Sequence, residues 1–108
     1  MAKFEKTLSG DFDALLKRIE NGILSGSRSA SIEDKSDFVG GRSRCSVRVF
    51  ERYSAAGSNR VSLSVTLFQD ECGVIRLSAI TAGGSQAVLF KLNTFGEEAF
   101  LDKLRELI

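Results

Sequence analysis

Arg44-Cys45-Ser46-Val47-Arg48-Val49-Phe50-Glu51-Arg52-Tyr53, Arg60-Val61-Ser62-Leu63-Ser64-Val65-Thr66-Leu67-Phe68-Gln69 and Val74-Ile75-Arg76-Leu77-Ser78-Ala79-Ile80-Thr81 are three runs in which apolar and polar residues alternate. A period of two places successive side chains on opposite faces of a strand. The spacing predicts strands over 42–53, 59–69 and 74–81. Ala56-Gly57-Ser58-Asn59 and Asp70-Glu71-Cys72-Gly73 between them are of hairpin length, so the strands are expected to pair antiparallel in sequence order.

Before these runs, Lys3 to Leu8 alternates as a short edge strand would. Phe12, Leu15, Leu16, Ile19 and Ile23 then form one apolar helical stripe, with Ser9 or Asp11 as the cap and Gly26 as a left-handed terminator. Ser27 to Asp34 reads as a polar strand, closed by Gly40-Gly41. Gly83-Gly84 is either a bulge or a turn into a further strand, Gln86 to Leu92. Thr94-Phe95-Gly96-Glu97 matches a capping box, in which threonine and glutamate side chains satisfy free N–H groups at a helix start. Phe100, Leu101, Leu104, Leu107 and Ile108 continue that second helix as its apolar stripe.

The expected order is β-α-β-β-β-β-(β)-α, an α+β domain over residues 1–108 with both helices on one face of an antiparallel sheet of five or six strands. That order resembles the TATA-box-binding-protein-like folds, whose members bind DNA, lipids or small ligands; the likeness implies no function.

Composition narrows the function classes. The chain has 43% hydrophobic and 27% charged residues and a net charge of +1, a balance that favours neither nucleic acid nor anionic lipid as a partner. No apolar run approaches the length of a membrane span and no signal-peptide core is visible, so the cytoplasm is the expected compartment. There is no histidine, the commonest general base and metal ligand. The acidic groups Glu33, Asp34, Asp37 and Asp70, Glu71 read as solvated turns, and no cofactor or metal is expected. Cys45 is assigned inward by parity; Cys72, in a hairpin loop, has no histidine to activate it. An enzyme is the least favoured class.

The same parity assigns an outward set of Arg44, Ser46, Arg48, Phe50, Arg52, Arg60, Ser62, Ser64, Thr66, Phe68, Arg76, Ser78 and Ile80. It holds five of the nine arginines and no carboxylate, so a locally positive open face is expected. Arg44, Arg48, Phe50, Arg60, Phe68 and Arg76 are its candidate binding residues. A solvated face needs no aromatic side chains, whereas interface cores are enriched in aromatics and arginine. The function expected is non-enzymatic self-association, a homodimer through this face. The alternative is an anionic or amphipathic small molecule bound there.

Several segments, Ile32-Glu33-Asp34-Lys35-Ser36-Asp37-Phe38, 44–54, Gly57-Ser58-Asn59-Arg60-Val61 and 78–100 with Gly83-Gly84-Ser85-Gln86-Ala87 and Asn93-Thr94-Phe95-Gly96-Glu97-Glu98, resemble a family of short bacterial proteins known as a domain of unknown function. The resemblance covers nearly the whole chain and implies no activity, cofactor or catalytic residue.

Overall fold

A computed structural model describes residues 1–53, 60–83 and 90–108, with the backbone alone for 90–96. The elements run β1 (Ala2–Leu8), α1 (Phe12–Gly26), β2 (Ser31–Gly40), β3 (Ser43–Tyr53), β4 (Arg60–Gln69), β5 (Ile75–Gly83) and α2 (Phe90–Arg105). All strand pairs are antiparallel and the sheet order is β1-β5-β4-β3-β2, so β4 is central and β1 and β2 are the edges.

Local chemistry accounts for the turns and ends. Asp11 caps α1, its Oδ1 accepting from the Ala14 N–H at 3.2 Å. In the β4–β5 turn, Asp70 Oδ1 accepts from the N–H groups of Cys72 and Val74, and Gly73 takes the left-handed conformation, φ 90°, that the turn requires. Gly26 is not a left-handed terminator: α1 ends in the extended backbone of Ser27, φ −148°. Gly22 serves a different purpose. A Cβ there would stand 2.3 Å from Leu107 Cδ2, so the missing side chain lets the end of the chain pack onto α1.

The polar strand begins and ends later than its alternation suggests, at Ser31 and Gly40, with a bulge between Ile32 and Asp34. Phe90 already lies in α2, so a further strand does not extend to Leu92. α2 begins four residues before Thr94, so the Thr94-Phe95-Gly96-Glu97 stretch lies inside the helix and does not cap its start. Gly84, the segment that follows it to Leu89 and the Ala56–Asn59 loop lie outside the described residues.

One apolar core joins the helices to the sheet. Phe12, Leu16, Ile19 and Ile23 of α1 and Phe100, Leu101 and Leu104 of α2 meet Val61, Leu63, Val65 and Leu67 of β4 and Ile75, Leu77 and Ala79 of β5. Phe4 and Leu8 of β1 pack against its margin. β4 and β5 therefore face as their alternation indicates.

β3 faces the other way. Its buried residues are Ser46, Arg48 and Phe50, whereas Cys45, Val47 and Val49 are half-buried on the opposite side. The register sets Phe50 opposite Leu63, Arg48 opposite Val65 and Ser46 opposite Leu67. Shifting a strand by one residue exchanges its two faces, and apolar content alone mis-assigned this one. Burial of Phe50 in the core and charge pairing beneath α1 outweigh the burial of two valines and a cysteine.

Candidate functional site

The six candidate binding residues separate onto two faces. Arg44, Arg48 and Phe50 lie on the helix-covered side, so they are not part of an exposed sheet face. Arg60, Phe68 and Arg76 are on the open side.

On the covered side the arginines of β3 form a regular ladder. Arg44 makes a bidentate pair with Asp13, at 2.8 and 3.1 Å, and stacks over the Phe12 ring with 4.2 Å to its centroid. Arg48 is almost fully buried, and its Nε donates to Glu20 Oε2 at 2.6 Å. Its Nη1 lies 3.1 Å from Asp37 Oδ1 and donates to the Val47 carbonyl at 3.0 Å. Ser46 Oγ donates to the same Asp37 oxygen at 2.5 Å. Arg52 donates from Nη1 to Ser27 Oγ at 2.7 Å and stacks over Phe100, 4.7 Å from the centroid.

The rungs are four residues apart on β3 and seven apart on α1. Four strand residues span about 13 Å and two helical turns about 11 Å, a mismatch that arginine side chains absorb. Asp13 and Glu20, which as solvated helix residues carry no message, border the apolar stripe on its β3 side. The paired spacings of four and seven are the trace this ladder leaves in the sequence, and they gain meaning only once α1 is known to lie over β3.

The open side is organised in cross-strand rows. Thr7, Arg76, Phe68, Cys45 and Phe38 make one row; Glu5, Ser78, Thr66, Val47 and Ser36 the next; Lys3, Ile80, Ser64, Val49 and Asp34 the third. Ala82, Ser62, Glu51 and Ser31 follow. No described helix covers these rows. Phe38 is 65% exposed, Ile80 40% and Phe68 38%, and Cys45, Val47 and Val49 lie between them, half-buried.

The expected excess of positive charge is absent. Lys3, Arg60 and Arg76 share the face with Glu5, Asp34 and Glu51, and Arg60 pairs with Glu51 and, at 3.7 Å, with Glu33. The flipped β3 moves three arginines off the face and brings the edge carboxylates into view. Cys45 consequently faces outward rather than into the core, and both cysteines are free thiols. A shallow open depression of about 400 Å³ beside Arg76 is lined by Glu5, Thr7, Thr66, Phe68 and Ser78. Among the described residues, no helix is long and apolar enough to cross a membrane, and no three His, Cys, Asp or Glu side chains converge as metal ligands would.

A family model described as a family of unknown function (DUF6054) matches residues 1–108. No curated protein matches the chain. Among solved structures, a hypothetical protein, jhp0584, from Helicobacter pylori is similar at 10% identity, over 94% of this chain and 83% of that one, with a TM-score of 0.46.

Proposed function

We propose, from the premise that the chain belongs to this family of unknown function and takes no activity from it, that the protein is a non-enzymatic assembly domain that pairs with a second copy through its open sheet face. The observation that carries this reading is the uncovered row structure of that face, in which Val47 and Val49 of β3, Phe68 of β4 and Ile80 of β5 stand around the small hydroxyls of β4, with charges of both signs on the edge strands.

Size supports it. Five strands about 4.8 Å apart and about eight residues long at about 3.3 Å each give roughly 600 Å² in projection, before side-chain relief is added. Stable interfaces bury about 800 Å² of accessible surface per partner.

Self-complementarity supports it further. A two-fold axis between two such sheets, running along the central strand β4, exchanges the sheet edges. It sets β5 over β3 of the second copy and β1 over β2. Within the third row this brings Lys3 to Asp34 and Ile80 to Val49, each twice, and in the first row Phe68 meets its own counterpart. The small Ser62, Ser64 and Thr66 of β4 leave room for the sheets to approach to about 10 Å with their central strands parallel. Opposite charges at the rim then fix register more than they add affinity. The free thiols suit a reducing compartment, which supports the cytoplasm as its location.

Sedimentation equilibrium of the unmodified chain tests the reading. Twice the chain mass is expected at micromolar concentration, and Phe68→Asp and Ile80→Asp should reduce it to the monomer while the circular dichroism spectrum stays unchanged. A monomer up to high micromolar concentration overturns it. Arg76 makes no ion pair among the described residues and borders the depression, which favours a small anionic or amphipathic ligand as the second reading. Native mass spectrometry finding a retained small molecule on a monomer selects that one.

A further inference from the structure

The ladder beneath α1 has a carboxylate partner at two of its three rungs. Arg44 faces Asp13 and Arg48 faces Glu20, but seven residues further along the helix direction the third position is Ser27, a hydroxyl where the first two have carboxylates. Among the described residues, Arg52 is left with one side-chain hydrogen bond, to Ser27 Oγ, and with no carboxylate within ion-pair distance. Its Nε is shut off from solvent and has no acceptor, a condition it shares with Arg44 Nε, so the missing carboxylate is what sets the third rung apart.

Two features partly compensate the charge. The C-terminal end of α1 carries a partial negative charge, about half an elementary charge, and the Phe100 ring presents its negative face. Neither accepts a hydrogen bond from Nε. Burial pushes the Arg52 guanidinium below its ordinary pKa with no opposing charge to restore it, in contrast to Arg44 and Arg48, whose carboxylate partners raise theirs.

We propose that the third rung is a binding site for a small oxyanion, a carboxylate or a phosphate, which takes from Arg52 and the Ser27 hydroxyl the hydrogen bonds that Asp13 and Glu20 take on the other rungs. Guanidinium forks match both chemistries. The site lies on the helix-covered face and is separate from the open face, so it does not depend on self-association.

Thermal unfolding in inorganic phosphate or acetate, against sodium chloride of equal ionic strength, tests this in the unmodified chain. A rise in Tm that grows with the logarithm of anion concentration is expected, about 4–8 °C once the anion is several-fold above its dissociation constant. A response to phosphate alone identifies a phosphate site, and a response to both identifies a general oxyanion site. Arg52→Met should abolish the response. Ser27→Glu supplies the carboxylate from within the chain, so it should raise Tm in plain buffer and remove the response to added anion; it keeps the test decisive if Arg52→Met does not fold. Equal Tm values in phosphate, acetate and chloride, or a Ser27→Glu variant that still responds to added anion, overturn the proposal.

Discussion

Phe50 lies directly opposite Leu63 across β3 and β4, and neither side chain is reached by solvent. This pair fixes which face of β3 is core, and through it which residues remain for the open face.

Truncating Phe50 should therefore be a core lesion. Phe50→Ala is expected to cost about 3–5 kcal/mol, through lost burial and the cavity left behind. Urea denaturation measures it. A loss within about 0.5 kcal/mol, as at an exposed site, would mean that β3 faces the other way.

Arg48 holds two carboxylates at once, Glu20 from α1 and Asp37 from β2. Arg48→Met leaves both without their cation, and because Asp37 is about half exposed the expected loss is about 1–3 kcal/mol, below that of a fully buried pair. Adding Glu20→Gln should recover part of it, since the more buried of the two stranded charges is then gone. A double-mutant cycle in urea reads the coupling, and strictly additive losses would show that the two groups do not interact.

The hydrogen bonds from Arg44 hold the Asp13 carboxyl below its ordinary pKa of 3.8, and the Ser46 hydroxyl, then Arg48, do the same for Asp37. Both are harder to protonate in the folded chain than in the unfolded one. Their stabilisation is thus present above pH 3.8 and is lost as the pH falls through the lower folded values. Asp13→Asn and Asp37→Asn should each flatten the acid decline of the urea midpoint. An unchanged slope in both variants would remove these carboxylates as its cause.

Charge reversal at the sheet margins tests the two-fold arrangement. Lys3→Asp alone places two carboxylates opposite each other in each copy of the rim contact and should weaken association, as should Asp34→Lys. The double variant restores opposite charges and should regain the association of the unmodified chain, with stronger dependence on salt than the apolar contacts of Phe68 and Ile80 show. A double variant no better than either single one would exclude this register.

Much of the architecture was legible because its signals are local. The α1 stripe, the Asp70 to Gly73 turn and the alternation of β4 and β5 each depend on a few neighbouring residues and reappear in the structure. The orientation of β3 was not legible, because both of its faces hold apolar residues. Choosing between them needs the α1 carboxylates at Asp13 and Glu20, about thirty residues away in sequence, to be known as partners of Arg44 and Arg48. The candidate site was half legible for the same reason. Arg60, Phe68 and Arg76 follow from strands whose parity is unambiguous, while Arg44, Arg48 and Phe50 follow from the one whose parity is not.

The chain carries its own reporter of the open face. Cys45 sits between Phe38 and Phe68 in the first row, and Cys72 is exposed in the β4–β5 turn, off the face. Labelling both thiols with a maleimide over a range of protein concentrations, each site read by peptide mass, tests self-association through this face most directly. The rate at Cys45 relative to Cys72 should fall as concentration rises and recover on dilution or in Phe68→Asp. A ratio that stays constant across the whole range would contradict burial of the open face against a second copy.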